Sequence, residues 1–173
     1  MDGPVAGAAV LGAAVLEESR RRLVTGFPAQ VRDCLARLDE AQIWRRPHEQ
    51  ANSVGNLVLH VCGSTRHFLG HVVGGSDYRR DRPAEFAERG PLSCAELLRV
   101  LDATVEEADR ILAGLDPARL LEVREVPREE SHTVLALVVR TSHHWAVHTG
   151  QIVYATKALT AGGLDELWMK TMV

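Results

Sequence analysis

"TVLALVVRTSHHWAVHTGQIVYATKALTA", residues 133–161, runs its whole length without a proline and stops at Gly162 and Gly163. Such a stretch reads as one long helix that starts near Ser131 or Thr133 and is closed by the glycine pair. Three of the chain's eight histidines fall in its middle, in "HHWAVHTGQI", residues 143–152. Side chains four positions apart on a helix share a face, with their bases about 5–6 Å from one another. His144 and His148 can therefore converge on one ion. His143 stands about 100° round the helical wheel from His144 and belongs on another side. Val134, Leu137, Val147 and Ile152 flank the His144–His148 face, which turns the pair toward an apolar interior where unpaired imidazoles are costly.

Three other long amphipathic stretches accompany this one. The first covers roughly residues 9–38, with Leu16, Leu23, Phe27, Val31, Cys34 and Leu38 on one stripe and Arg20 as its interruption. Pro28 lies inside it, but the stripe keeps its phase across the proline, so one kinked helix is expected rather than two. The second, "VGNLVLHVCGSTRHFLGHVV", follows Asn52 or Ser53 as N-cap and ends at Gly74 and Gly75. The third opens on a capping box, Ser93 with Glu96, carries Leu97, Leu101, Val105, Ala108 and Leu112 on one face, and ends near Gly114. Four such stretches with almost no strand signal predict an all-α, four-helix bundle. Two long connections, "LDEAQIWRRPHEQANS" and "GGSDYRRDRPAEFAERGP", hint at a helix order other than up-down-up-down. Ile43 and Trp44 in the first should tuck against the core, and "PAEFAER" in the second can form a helical turn. "DPARLLEVREVPREE" reads as a further irregular connection. One domain is expected over residues 1–173, with a core at about 9–161 and a C-terminal tail, 162–173, of little pattern.

The totals narrow the function classes. The 173 residues are 46% hydrophobic and 25% charged, an ordinary globular balance. The formal charge of −3 argues against a nucleic-acid partner, which would want a clustered basic surface. The apolar start, up to Leu16, is too short to span a bilayer, so no membrane association is expected. The three cysteines, Cys34, Cys62 and Cys94, are an odd and scattered set, which disfavours a disulfide framework and points to a reducing cytoplasm. Cys94 opens the third helix, where the dipole could lower its pKa; it is read as structural, as is Cys62.

Facing helices of a bundle build metal sites from inward side chains, so a third ligand should come from across the core. His60, embedded mid-helix in "NLVLHVCGS", fits that place. Its bland alternative is a core histidine bonded to a backbone carbonyl. Asn56 and Ser64, one turn either side of His60, and Gln151, near the azimuth of His144 and His148, can orient imidazoles from behind. His67 and His71 share the His60 face but stand too far along the axis to join the same ion. Three neutral imidazoles suit zinc, nickel, copper or iron, with zinc or nickel the expected divalent ion, and they leave a coordination position open.

"NSVGNLVLHVCGS", followed much later by "HHWAVHTGQI", resembles the DinB superfamily of DinB/YfiT-like proteins. "RRDRPAEFAERGP" and "LDPARLLE" resemble a bacterial branch of it without an assigned function. The similarity runs from about residue 15 to 160. It implies a four-helix bundle with long crossover connections, homodimers, and a divalent metal held by three histidines, here His60, His144 and His148. Some members are S-transferases that use a low-molecular-weight thiol as co-substrate. Better-known branches carry Arg after the last histidine, where this chain has Thr149. A small-molecule substrate is implied, with Arg66, Arg79, Arg80, Arg82 and Arg140 as candidate clamps for its carboxylates. Arg140, one turn before His144, is the candidate catalytic side chain. A metal-dependent hydrolase and a non-catalytic metal-binding or stress-response module stand as the alternatives.

Overall fold

The computed structural model describes residues 3–90 and 92–160. The tail, with the Gly162–Gly163 stop expected for the last helix, lies outside the described residues. Helix α1 (Gly3–Arg20) passes through a π-helical segment (Arg21–Gly26) directly into α2 (Phe27–Leu35), so the first stretch is one continuous rod. Pro28 explains the wider turn. The ring removes one donor from the ladder and crowds the carbonyl a turn back. The chain absorbs this by shifting register, and the Phe27 N–H reaches back five residues to the Arg22 carbonyl. Pro28 then occupies the first turn of α2, where no partner is needed for its nitrogen. The expected stripe is inside: Leu16, Leu23, Val31, Cys34 and Leu38 are buried, and Arg20 reaches sideways to Asp109 at 2.5 Å.

Asp39 and Gln42 form a reciprocal cap for the short helix α3 (Glu40–Trp44). It buries Ile43 and lays the Trp44 ring where a Cβ on Gly55 would stand. Ser53 and Asn56 make a second capping box for α4 (Val54–Thr65). This helix continues as a second π-helical segment (Arg66–Val73) and ends at Gly75, whose φ of +75° suits a residue without a Cβ. Helix α5 (Arg82–Ala87) then realises the turn expected in "PAEFAER". Helix α6 (Cys94–Gly114) opens on the Ser93–Glu96 box and buries Leu97, Leu101, Val105, Ala108 and Leu112. A 3-10 turn (Pro117–Leu121) and a two-residue antiparallel pair, β1 (Val123–Arg124) with β2 (His132–Thr133), lie in the connection read as irregular. Helix α7 (Val134–Thr160) follows, its first turn capped by the Thr133 hydroxyl.

The four long rods are not arranged in chain order. The first packs on α6 and α7, and α4 also packs on α6 and α7. The first and second rods thus lie diagonally opposite, as do the third and fourth, so the crossovers are the connections over residues 36–53 and 115–133, whereas "GGSDYRRDRPAEFAERGP" joins two neighbouring rods. None of the described helices is long and apolar enough to cross a membrane.

The register between α4 and α7 is set by Trp145. Its indole is 1% exposed, stacks on Phe27 at 6.5 Å, and donates from Nε1 to the Thr65 hydroxyl at 2.7 Å. The Thr65 hydroxyl in turn donates to the Val61 carbonyl. Trp145→Ala should therefore lower stability by about 3–5 kcal/mol through the cavity it leaves. Thr65→Val, which strands the indole N–H, should cost about 1–3 kcal/mol. Urea unfolding followed by circular dichroism measures both, and a Thr65→Val protein as stable as the parent would contradict the role given to this bond.

Candidate metal centre

Trp145 and Thr65 fix where their neighbours meet. One residue before the indole, His144 turns toward α4, and one helical turn and a residue before Thr65, His60 turns toward α7. The Nε2 atoms of His60 and His144 stand 3.1 Å apart, and those of His144 and His148 also 3.1 Å. The three rings present ligand atoms within 4.8 Å of one another, the one group of this kind among the described residues. His143, on the opposite side of α7, is exposed.

The cluster is at the margin of the bundle rather than in its middle. The buried stripe of α7 is Val134, Leu137, Val138, Thr141, Trp145, Thr149, Ile152, Val153 and Thr156. His144 and His148 are half-buried beside it, and Val147, expected to flank them inside, is 44% exposed. The wheel gives neighbours in angle; it does not say how wide the buried sector is, and here Trp145 and Thr149 take its centre. Thr149 is accordingly a core position.

Each imidazole is held from behind differently. His60 is 6% exposed, and its Nδ1 donates to Glu85 Oε2 at 2.8 Å. Arg80 grips the same carboxylate with two bonds, Nε to Oε1 at 2.7 Å and Nη2 to Oε2 at 2.9 Å. The 3.1 Å between Arg80 Nη2 and His60 Nδ1 reflects two donors sharing one acceptor, Oε2. Burial draws the Glu85 carboxyl upward, but the bonds from His60 and Arg80 outweigh it and hold the group below the usual carboxylate range. His148 Nδ1 donates to Gln151 Oε1 at 2.7 Å, and burial pushes this imidazole's pKa down. His144 Nδ1 has no partner among the described residues. Burial, with His148 and His60 alongside, drives the His144 pKa down to about 3, so the ring is neutral near pH 7.

Glu85 is the functional residue that the sequence did not disclose. It reaches His60 because two side chains anchor its short helix by the backbone. Asn56 donates to the Glu85 and Glu88 carbonyls, both at 2.9 Å, and accepts from Arg46 at 2.6 Å. Arg46 also donates to the Phe86 carbonyl. Asn56 was expected to orient the His60 ring directly. Instead, both ends of its amide are spent on the helix cap and on the segment that carries Glu85, so it acts one step further out. Gly63 lets the carboxylate come close, since a Cβ there would stand 2.1 Å from Glu85 Oε1. The capping box and the glycine were visible signals; nothing in "RPAEFA" marked its glutamate.

The remaining candidates separate. Ser64, buried, lines a cavity of about 220 Å³ beside the cluster, together with His60, His144, Phe68, Thr141, Arg80, Arg82, Glu129 and Arg140. Of the five arginines read as free clamps, Arg80 is committed to Glu85, Arg66 pairs with Glu107 at 3.1 Å, and Arg79 bonds the Asp77 and Tyr78 carbonyls. Arg82 and Arg140 remain at the cavity. His67 and His71 stack on each other at 6.1 Å, and His71 bonds the Ser76 carbonyl. Both lie within the π-helical segment Arg66–Val73, whose wider turn alters the phase that a regular helix would have carried forward. Burial raises the pKa of all three thiols, Cys62 to about 12, and Cys94 with them despite its place at the start of α6.

No curated protein matches this sequence. Among solved structures, a DinB-like protein (YjoA) from Bacillus subtilis is similar at a TM-score of 0.60 and 17% identity, over 79% of this chain and 90% of that one. The likeness gives the fold, a DinB-like helical bundle. A family model described as "protein of unknown function (DUF1572)" matches residues 11–170. With nearly the whole chain covered by that model, and the crossed-over bundle to go with it, the protein belongs to the DUF1572 family and has a DinB-like fold.

Proposed function

We propose that His60, His144 and His148 hold a divalent transition metal ion through Nε2, zinc or nickel by ligand type, and that the protein is an enzyme using it on a small molecule. One observation carries the proposal. The Nδ1 protons of His60 and His148 are engaged by Glu85 and Gln151, so both rings turn an unprotonated Nε2 toward His144. A proton on His144 Nε2 can bridge to only one of the two. The other Nε2 lone pair is then left without a donor, and with the His144 proton on Nδ1 both contacts set lone pair against lone pair, arrangements that a cation relieves. Three imidazoles leave a coordination position open, the pattern of catalytic rather than structural sites.

A divalent cation in that place supplies Lewis acidity and lowers the pKa of a thiol or water offered to its open position. The rest is done by the chain. Glu85 and Arg80 lock the His60 tautomer, Gln151 locks that of His148, and Phe86, whose ring centre is 4.6 Å from that of His60, shields the cluster on one side. Burial raises the pKa of the protein's own thiols, so in this reading the nucleophile is an external thiol. This favours the S-transferase reading, with a low-molecular-weight thiol as co-substrate. The thiol proton leaves to solvent, sulfur forms a C–S bond with an electrophilic carbon, and the leaving group departs with the bonding pair.

Elemental analysis of protein purified without a metal-binding tag should find about one ion per chain. His60→Ala and His148→Ala should lose it while keeping helical circular dichroism, since the apolar core supplies the stability; His143→Ala should retain it. Glu85→Gln should weaken metal affinity by about 10–100-fold. Gly63→Ala should do likewise by displacing the carboxylate, and unchanged affinity in both, read by competition with a chromogenic chelator, would refute the part given to Glu85. Metal-loaded protein given several small thiols and a reactive electrophile should form conjugate, and His148→Ala should abolish it. Stoichiometric metal with no turnover on any thiol would overturn the transferase and favour a metal-holding module.

A further inference from the structure

The cavity beside the imidazoles has a charge pattern that three neutral rings do not require. Arg82 and Arg140 each stand over an aromatic ring. The Arg140 guanidinium carbon is 4.2 Å from the centre of Phe68, and that of Arg82 is 5.0 Å from the centre of Phe86. A guanidinium backed by a ring still presents the N–H fork of its rim, which receives an oxyanion in bidentate fashion. Arg82 has no acidic partner among the described residues. Arg140 has one: its Nη1 donates to Glu129 Oε2 at 2.6 Å. Glu129 itself lines the cavity. It is carried on the exposed connection between β1 and β2, next to Arg128, a non-glycine residue with φ of +68°. The Glu129 carboxylate thus reaches from a surface turn to the guanidinium at the cavity.

From this we infer that the cavity admits a small organic oxyanion, received by Arg82 and Arg140, and that Glu129 is an internal stand-in displaced when the ligand arrives. The inference names the substrate class of the site proposed above and rests on that reading for its chemistry, though not for its anion binding. The cavity's size, about 220 Å³, is below the range of pockets for drug-sized ligands, so a compact molecule is indicated. Arg80, Arg82 and Arg140 against Glu129 and Glu85 leave the lining cationic before any metal is counted. Exchange of one carboxylate for another at Arg140 keeps a charge pair at the cavity, while the mobile ligand, unlike Glu129, also engages Arg82.

Isothermal titration with succinate, inorganic phosphate and neutral succinamide tests this on both the zinc-loaded and the metal-free protein. Succinate should bind and succinamide should not. Removing the competitor in Glu129→Gln should tighten succinate by about tenfold. Glu130→Gln, an equal change of charge on the next residue, should alter it by less than about twofold. Arg140→Met and Arg82→Gln, both at exposed positions, should each weaken succinate by about tenfold or more without altering metal content. Phosphate binding in place of succinate would overturn the organic ligand, and equal effects of Glu129→Gln and Glu130→Gln would overturn the stand-in. Absence of metal together with the full Glu129 effect would refute the metal proposal and leave this one intact; bound metal with no Glu129 effect would do the reverse.

Discussion

The Trp145 indole, wedged against Phe27 and bonded to Thr65, is the contact on which the candidate site depends. Helices in a bundle can slide by a turn at modest cost where only apolar side chains meet, because such packing is non-directional. A buried N–H allows no such latitude, since losing its acceptor costs about 1–3 kcal/mol. The bond to Thr65 therefore fixes α7 lengthwise and in rotation against α4. His144, next to Trp145, and His60, just over one turn before Thr65, are brought together as its consequence.

Around that pin, the chain surrounds His60 with a second layer that comes from far away in sequence. Arg46 and Asn56 capture the backbone of the helix at 82–87, and that helix presents Glu85 to His60 with Arg80 behind it. The arrangement satisfies a buried carboxylate completely: His60 and Arg80 donate three bonds to its two oxygens. Burial alone would make such a carboxylate neutral, and the bonds keep it ionised. An ionised partner at Nδ1 raises the basicity of the far ring nitrogen, which is the property a ligand imidazole needs. The long connection between α4 and α6 is thus part of the site as well as a link between neighbouring helices.

The two ends of the cluster differ in kind. His60 is buried and tightly held, whereas His144 and His148 lie along the edge of the α7 core stripe, half open to the cavity. A site at the margin has a rigid floor and an approachable side. The charged lining of that side, with its ring-backed guanidinium groups, is where recognition of a small molecule is concentrated in the proposed reading. The enclosed thiols, by contrast, serve as small core residues.

The four rods, their caps and most of their buried faces are legible along the chain. Those follow from local rules: apolar spacing, the N-cap at Asn52 or Ser53, the Ser93 box, and glycine at helix ends. The sequence also singles out His60, His144 and His148, because histidines amid apolar helix positions are conspicuous. Only the tertiary structure decided that Trp145 and Thr149, not Val147, take the centre of the α7 core face. It alone revealed Glu85, and it alone showed which arginines line the cavity and that two of these, Arg80 and Arg140, already hold a carboxylate. The reason is physical. Helical periodicity is written every few residues along the chain, whereas Glu85 meets His60 across 25 positions through a loop whose path is set by Asn56 and Arg46. A charged side chain in a polar segment looks the same whether it ends in water or beneath an imidazole, until the folded chain has chosen its neighbours.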